Sequence, residues 1–216
     1  MTTSLTRRRV LGLGAGAAIA VASAGPAQAA PTTGERAWTK RESANGWPLL
    51  DHAGKFRVEG TNVDVSLAGG DVATVLLHVA RRFAYEVDML MPGDLQGHTT
   101  ERKIGSAFES NYLSGTAIAI RPMHYPLGAD VRNTGMSEAE QIVVTDILAD
   151  CEGVIAWGGH LKPVKQSHFQ LAVEPGDLRL RKLADRIRGW NRAPGRGAGT
   201  IDAFAPARRR RAARFQ

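Results

Sequence analysis

Two apolar rhythms alternate along the middle of this 216-residue chain, and they constrain its fold more than any other feature. Phe56-Arg57-Val58 and Val63-Asp64-Val65-Ser66-Leu67 alternate with the two-residue period of half-buried strands, and Glu59-Gly60-Thr61-Asn62 between them has turn chemistry, so a hairpin is predicted. From Asp71, placed to cap a helix, the rhythm changes: Val72, Val75, Leu76, Val79 and Phe83 recur at helical spacing, and Met91-Pro92-Gly93 marks the end. A second helix opens on Ser137 and Glu140, spaced as in a capping box, and carries Ile142, Val143, Ile147 and Leu148. A last one runs from Asp177 to about Trp190. Gly115–Arg121, Gly153–Trp157 and Ser167–Val173 read as strands, with Ile118 and Ile120 on one face of the first and Ala117, Ala119 and Arg121 on the other. The sum predicts an α+β fold, a single domain with a mostly antiparallel sheet flanked by helices.

Charge confirms that the domain lies between two unusual ends. The chain has 28 Lys and Arg against 21 Asp and Glu, for a net +7, but Arg7–Arg9 and Arg208, Arg209, Arg210, Arg211 and Arg214 sit near the termini. Setting those eight aside leaves 20 basic residues against 21 acidic ones, so the middle is near neutral and no nucleic-acid partner is expected. Arg7-Arg8-Arg9 before a mild Gly- and Ala-rich apolar stretch, closed by Ala27-Gln28-Ala29, reads as a signal peptide of the twin-arginine type over residues 1–29. That predicts a secreted, extracellular or cell-wall-associated protein without a transmembrane segment in its mature part. Residues 30–45 lack apolar periodicity and predict a flexible leader; residues 191–216 predict a basic, disordered tail that could contact anionic wall polymers. The domain is assigned to 46–190. Cys151 is the one cysteine, so no internal disulfide is possible, and its apolar surroundings predict a buried small hydrophobe.

Read by residue type alone, the chain carries no strong catalytic motif: its six His include no H-E-x-x-H, and there is no G-x-S-x-G. Strand alternation sends Phe169, Leu171 and Val173 to the core and turns His168 and Gln170 the other way.

Ser110-Asn111-Tyr112-Leu113-Ser114-Gly115-Thr116-Ala117-Ile118-Ala119 resembles the S-x-H-x-x-G-x-A-x-D signature of the M15 peptidases, the zinc D-alanyl-D-alanine carboxypeptidases and L-alanyl-D-glutamate endopeptidases. Trp157-Gly158-Gly159 and Ser167-His168-Phe169-Gln170 resemble that family's W-G-G and x-H-F-E segments, in order, over residues 46–175. The resemblance implies a zinc site held by two His and an Asp, with a carboxylate shortly before the second His as general base. Here Tyr112 and Ala119 stand at two ligand positions, Lys165 and Gln166 occupy the base region, and His168 alone is kept as a metal ligand, with His160 as the nearest substitute.

What the resemblance implies is therefore a peptidase-like protein of the cell wall with a degenerate Zn2+ site, retaining the binding of peptidoglycan or its stem peptides. Ser110, Tyr112, Arg121 and Trp157 are its candidate substrate-binding residues, with Arg121 offered to a peptide carboxylate. Two other readings stay open: an active zinc carboxypeptidase or endopeptidase with a rearranged ligand set, and a non-catalytic interaction module anchored by its basic tail.

Overall fold

A computed structural model describes residues 34–129, 135–193 and 195–215; the expected signal peptide over residues 1–29, with Arg7–Arg9, lies outside them. The fold is α+β with antiparallel pairing throughout, as the two rhythms predict. β1 (Arg36–Ala37) is followed by the hairpin strands β2 (Gly54–Arg57) and β3 (Asp64–Leu67), then by α1 (Asp71–Glu86), β4 (Leu95–Gln96) and β5 (Lys103–Ile104). A 3₁₀ turn (Ala107–Tyr112) leads into β6 (Ala117–Ile120), α2 (Glu138–Asp150), β7 (Ile155–Trp157), β8 (His168–Leu171), α3 (Leu178–Arg192) and α4 (Pro206–Ala212). The main sheet has the order β4-β6-β8-β7, and its register sets Ala119 opposite His168 and Ala117 opposite Gln170.

The two faces of that sheet differ in kind. Ile118, Ile120, Phe169, Leu171 and Trp157 meet the apolar stripes of α1, α2 and α3 in one core. On the other face Ala117 and Ala119 are covered by Tyr112. Gly115 makes the turn between Tyr112 and β6: its φ is 65°, and a Cβ there would come within 2.6 Å of the Ala68 amide nitrogen, so both the backbone conformation and the space require glycine. Ser137 and Glu140 form the expected capping box at α2, and Asp177 caps α3. Gly70, not Asp71, is the N-cap of α1; Asp71 starts the helix and accepts a hydrogen bond from Arg188 of α3. Cys151 is fully buried at the end of α2, where burial pushes its thiol up to about 12.

Three further sequence expectations are corrected. Residues 34–45 are not a flexible leader: β1 pairs with β5, Trp38 is buried and donates to the Glu42 carbonyl, and Ser43 is buried. Its apolar anchor is a single Trp, which periodicity does not register. The tail is not disordered over its described length. α4 lies on α2, with Arg208 donating to Asp146 and Asp150, and Arg211 to Asp150 and the Ala149 carbonyl. Those carboxylates also hold Arg82, 0% exposed, which donates to Glu86, Asp146 and Asp150. Arg82 alone cannot neutralise three buried carboxylates, so the tail arginines complete the ion cluster. Arg121, thirdly, does not continue the Ala117 and Ala119 face. β6 stops at Ile120, Arg121 has φ 52°, and its guanidinium pairs with Asp88.

No described helix is long and apolar enough to cross a membrane.

Candidate functional site

The site grows from two adjacent strands and the 3₁₀ turn before them. His168 opens β8 on the side of the sheet away from the core, and Tyr112 ends the turn directly above it. The Tyr112 hydroxyl lies 2.7 Å from Nδ1 of His168, and Nε2 lies 2.8 Å from Oε1 of Gln170, two residues along the same strand face. Gln170 Oε1 also accepts from Asn111 Nδ2 at 2.7 Å, which leaves the imidazole as the donor at Nε2 and Tyr112 as the donor at Nδ1. The chain of bonds is thus Tyr112 to His168 to Gln170, with Asn111 closing the far end. Asn111 Oδ1 in turn accepts the Asn45 amide.

The surroundings hold that network in one protonation state. His168 is wholly buried, its ring 4.7 Å from that of Phe108, and burial lowers its pKa to about 4 despite the Gln170 hydrogen bond. Burial drives Tyr112 well above its ordinary value. Over the Tyr112 ring, at 5.1 Å, lies the Lys165 ammonium, paired with Glu109 at 2.6 Å. Glu109 also takes the Gly105 and Ser106 amides, and although burial opposes it, these donors and Lys165 keep its carboxyl below the usual range. A neutral imidazole, a protonated phenol and a compensated ion pair make a closed polar core.

The expected site residues divide sharply. Tyr112 and His168 are brought together, and Ser110 is beside them, accepting the Ala44 amide and donating to the Ala107 carbonyl. Lys165 is present but is a paired ammonium. Gln166 turns elsewhere, accepting the Met136 amide on its side chain and the Trp157 indole on its carbonyl. Trp157 is not a cleft wall; it stacks on Phe169 in the core. His160 is exposed, edge-on to the Trp157 ring. Asn111, Gln170 and Glu109 complete the site; Gln170 stands at the last position of the x-H-F-E segment, whereas Asn111 and Glu109 fall at no signature position. Gln170 was accessible from alternation, because residues two apart on a strand share a face.

These residues do not fit zinc. Both nitrogens of His168 are engaged by protein partners, Ala119 opposite it offers no donor, and the Tyr112 phenol is driven away from the phenolate that would ligate. Among the described residues no group of three or more His, Cys, Asp or Glu could hold a metal ion.

Gln170 also borders an open groove of about 730 Å³ between the Lys40–Gly46 segment and residues 170–174. Asn45 fastens its floor, donating to Thr116 Oγ1 and to the Leu171 carbonyl, while Lys40, Arg41, Glu42 and Glu174 carry its charge. The groove, not the buried imidazole, is the part of this region that a solute can reach. Searches of family models, curated proteins and solved structures find no match to the chain, so the resemblance to M15 peptidases rests on the residues quoted for it.

Proposed function

We propose that this chain is a secreted, cell-wall-facing protein of M15-peptidase-like build that binds peptidoglycan stem peptides in the groove beside Gln170 and does not cleave them. The observation that carries this reading is the Tyr112 hydroxyl seated on Nδ1 of His168, at the position where the resemblance would place a second metal ligand. Peptide hydrolysis requires an activated water and a group to take its proton. His168 has no free nitrogen for that, Lys165 is held by Glu109, and the Glu109 oxygens are occupied by that ammonium and two amides. Binding is better supported. The groove offers two cations and two carboxylates on a frame of backbone groups, a set suited to a peptide with free carboxyl and amino groups.

The test measures adsorption of the purified protein to intact peptidoglycan together with release of D-Ala from a stem peptide. Saturable binding weakened by Arg41→Glu, with no D-Ala released, is expected. Turnover that His168→Ala abolishes would overturn the reading. The tail must be tested without deleting α4, since deletion would strip partners from Asp146 and Asp150. Reversing Arg209, Arg210 and Arg214, all exposed, to Glu leaves that cluster intact. Adsorption lost with this triple variant and kept in Arg41→Glu would replace groove recognition by the anchored interaction module.

A further inference from the structure

The tail helix α4 sorts its arginines by face. Arg208, Arg211 and Ala212, three and four positions apart, turn to α2, where Asp146 and Asp150 take both guanidinium groups. The opposite arc carries Arg209, Arg210 and Arg214, all exposed, with the exposed Ala207 and Ala213 beside them. Among the described residues none of these three arginines is in an ion pair, whereas Arg208 and Arg211 are tied to carboxylates. The inner pair is thus neutralised within the fold, and the outer three remain as surface charge.

Phe204 stands just before this helix and is oriented against the usual rule of burial. Ala203 is 3% exposed and belongs to the main core, while its neighbour Phe204, its amide held by Asp202 Oδ1, is 50% exposed. The small side chain is buried and the large aromatic one is left in water, the reverse of what burial energy favours. At the far end of α4, Phe215 is half-buried. Cations next to apolar rings are the composition of a surface that meets an anionic bilayer. The guanidinium groups lie at the headgroup phosphates, and the ring enters the boundary with the acyl chains.

We propose that the outer face of α4, together with Phe204, is a peripheral docking surface for an anionic lipid bilayer. A soluble polyanion would engage the three arginines, but it offers nothing to the Phe204 ring; a bilayer takes both. Each basic residue close to an anionic bilayer strengthens binding about fivefold, so three give roughly a hundredfold preference over a neutral one. Arg208 and Arg211 serve this surface from beneath. By fixing α4 to α2 they display the outer cations on an ordered frame, so little ordering cost falls on binding. The surface uses no residue of the groove beside Gln170 and does not depend on what that groove binds.

The experiment sediments the purified chain with vesicles of phosphatidylcholine alone, or of phosphatidylcholine mixed with phosphatidylglycerol, and measures its affinity for soluble polyphosphate alongside. Binding to the anionic vesicles is expected to exceed binding to the neutral ones by roughly a hundredfold and to weaken as salt is added. Reversing Arg209, Arg210 and Arg214 to Glu together should remove that preference while the thermal unfolding curve keeps its shape, since all three lie outside the ion cluster. Phe204→Ser should weaken vesicle binding roughly fivefold to tenfold and leave polyphosphate binding unchanged. Arg41→Glu, in the groove, should leave vesicle binding as it was. Equal binding to neutral and anionic vesicles, or full binding by the triple variant, overturns the proposal. So does vesicle binding indifferent to Phe204→Ser, which would assign the face to a soluble polyanion.

Discussion

His168 and His78 are both removed from water, 0% and 4% exposed, yet the chain treats their nitrogens in opposite ways. Around His168 every polar atom is spoken for: Tyr112 donates to one nitrogen and Gln170 accepts from the other. Neither nitrogen of His78 has a partner, and Nε of the neighbouring Arg81 has none either. A satisfied buried imidazole contributes packing and one fixed arrangement of hydrogen bonds; an unsatisfied one costs stability. The contrast separates a buried imidazole whose hydrogen bonds are complete from one whose hydrogen bonds are missing. It also explains why the residue resembling a family ligand is the less accessible of the two.

The contrast breaks first at His168. His168→Ala leaves a cavity and orphans Tyr112 and Gln170, and urea unfolding should show a loss of about 3–5 kcal/mol. Acid comes next. Both rings have folded pKa values below 6.5, at about 4 for His168 and about 3 for His78, so the unfolded chain takes up their protons first. Their contribution is complete above pH 6.5 and is lost as the pH falls toward the folded values, by about 1.4 kcal/mol per pH unit for each ring. Unfolding curves between pH 6 and 4.5 should show this slope, and His78→Leu should remove its half of it while a His168 substitution removes the other. Tyr112→Phe takes away one hydroxyl and strands Nδ1, for about 1–3 kcal/mol. The smallest effect has the opposite sign: at pH 7, His78→Leu should be neutral or stabilising by up to about 1 kcal/mol, because it removes two unpaired polar atoms. A large loss there would mean that His78 is partnered by protein groups after all.

Much of the fold could be read from periodicity because periodicity is a direct image of burial. Ile118 and Ile120 against Ala117 and Ala119, the capping box at Ser137, and the stripe of α1 all appear as the spacing implies. What escaped depends on partners distant in sequence. Arg208 and Arg211 look like solvated charge until Asp146 and Asp150, some sixty residues earlier, are set beneath them. Arg121 follows the alternation of β6 on paper, but the strand ends one residue sooner and the backbone turns. The candidate site was half legible. Alternation placed His168 and Gln170 on one face, and the resemblance placed Tyr112 beside them. That the phenol completes the imidazole, instead of leaving a gap where a metal would be, depends on a distance of 2.7 Å that no spacing encodes. His78 was invisible for a simpler reason: an apolar stripe is counted from apolar residues, and an imidazole on the same buried surface is passed over.

The closed state of His168 is tested most directly by long-range 1H–15N NMR of its ring with and without one equivalent of zinc. The expected spectrum has the proton on Nε2, a hydrogen-bonded but unprotonated Nδ1 down to about pH 4, and no change on adding the metal. A stoichiometric zinc-induced shift at either nitrogen, with displacement of the Tyr112 hydroxyl, would contradict it and restore the metal site to the fold.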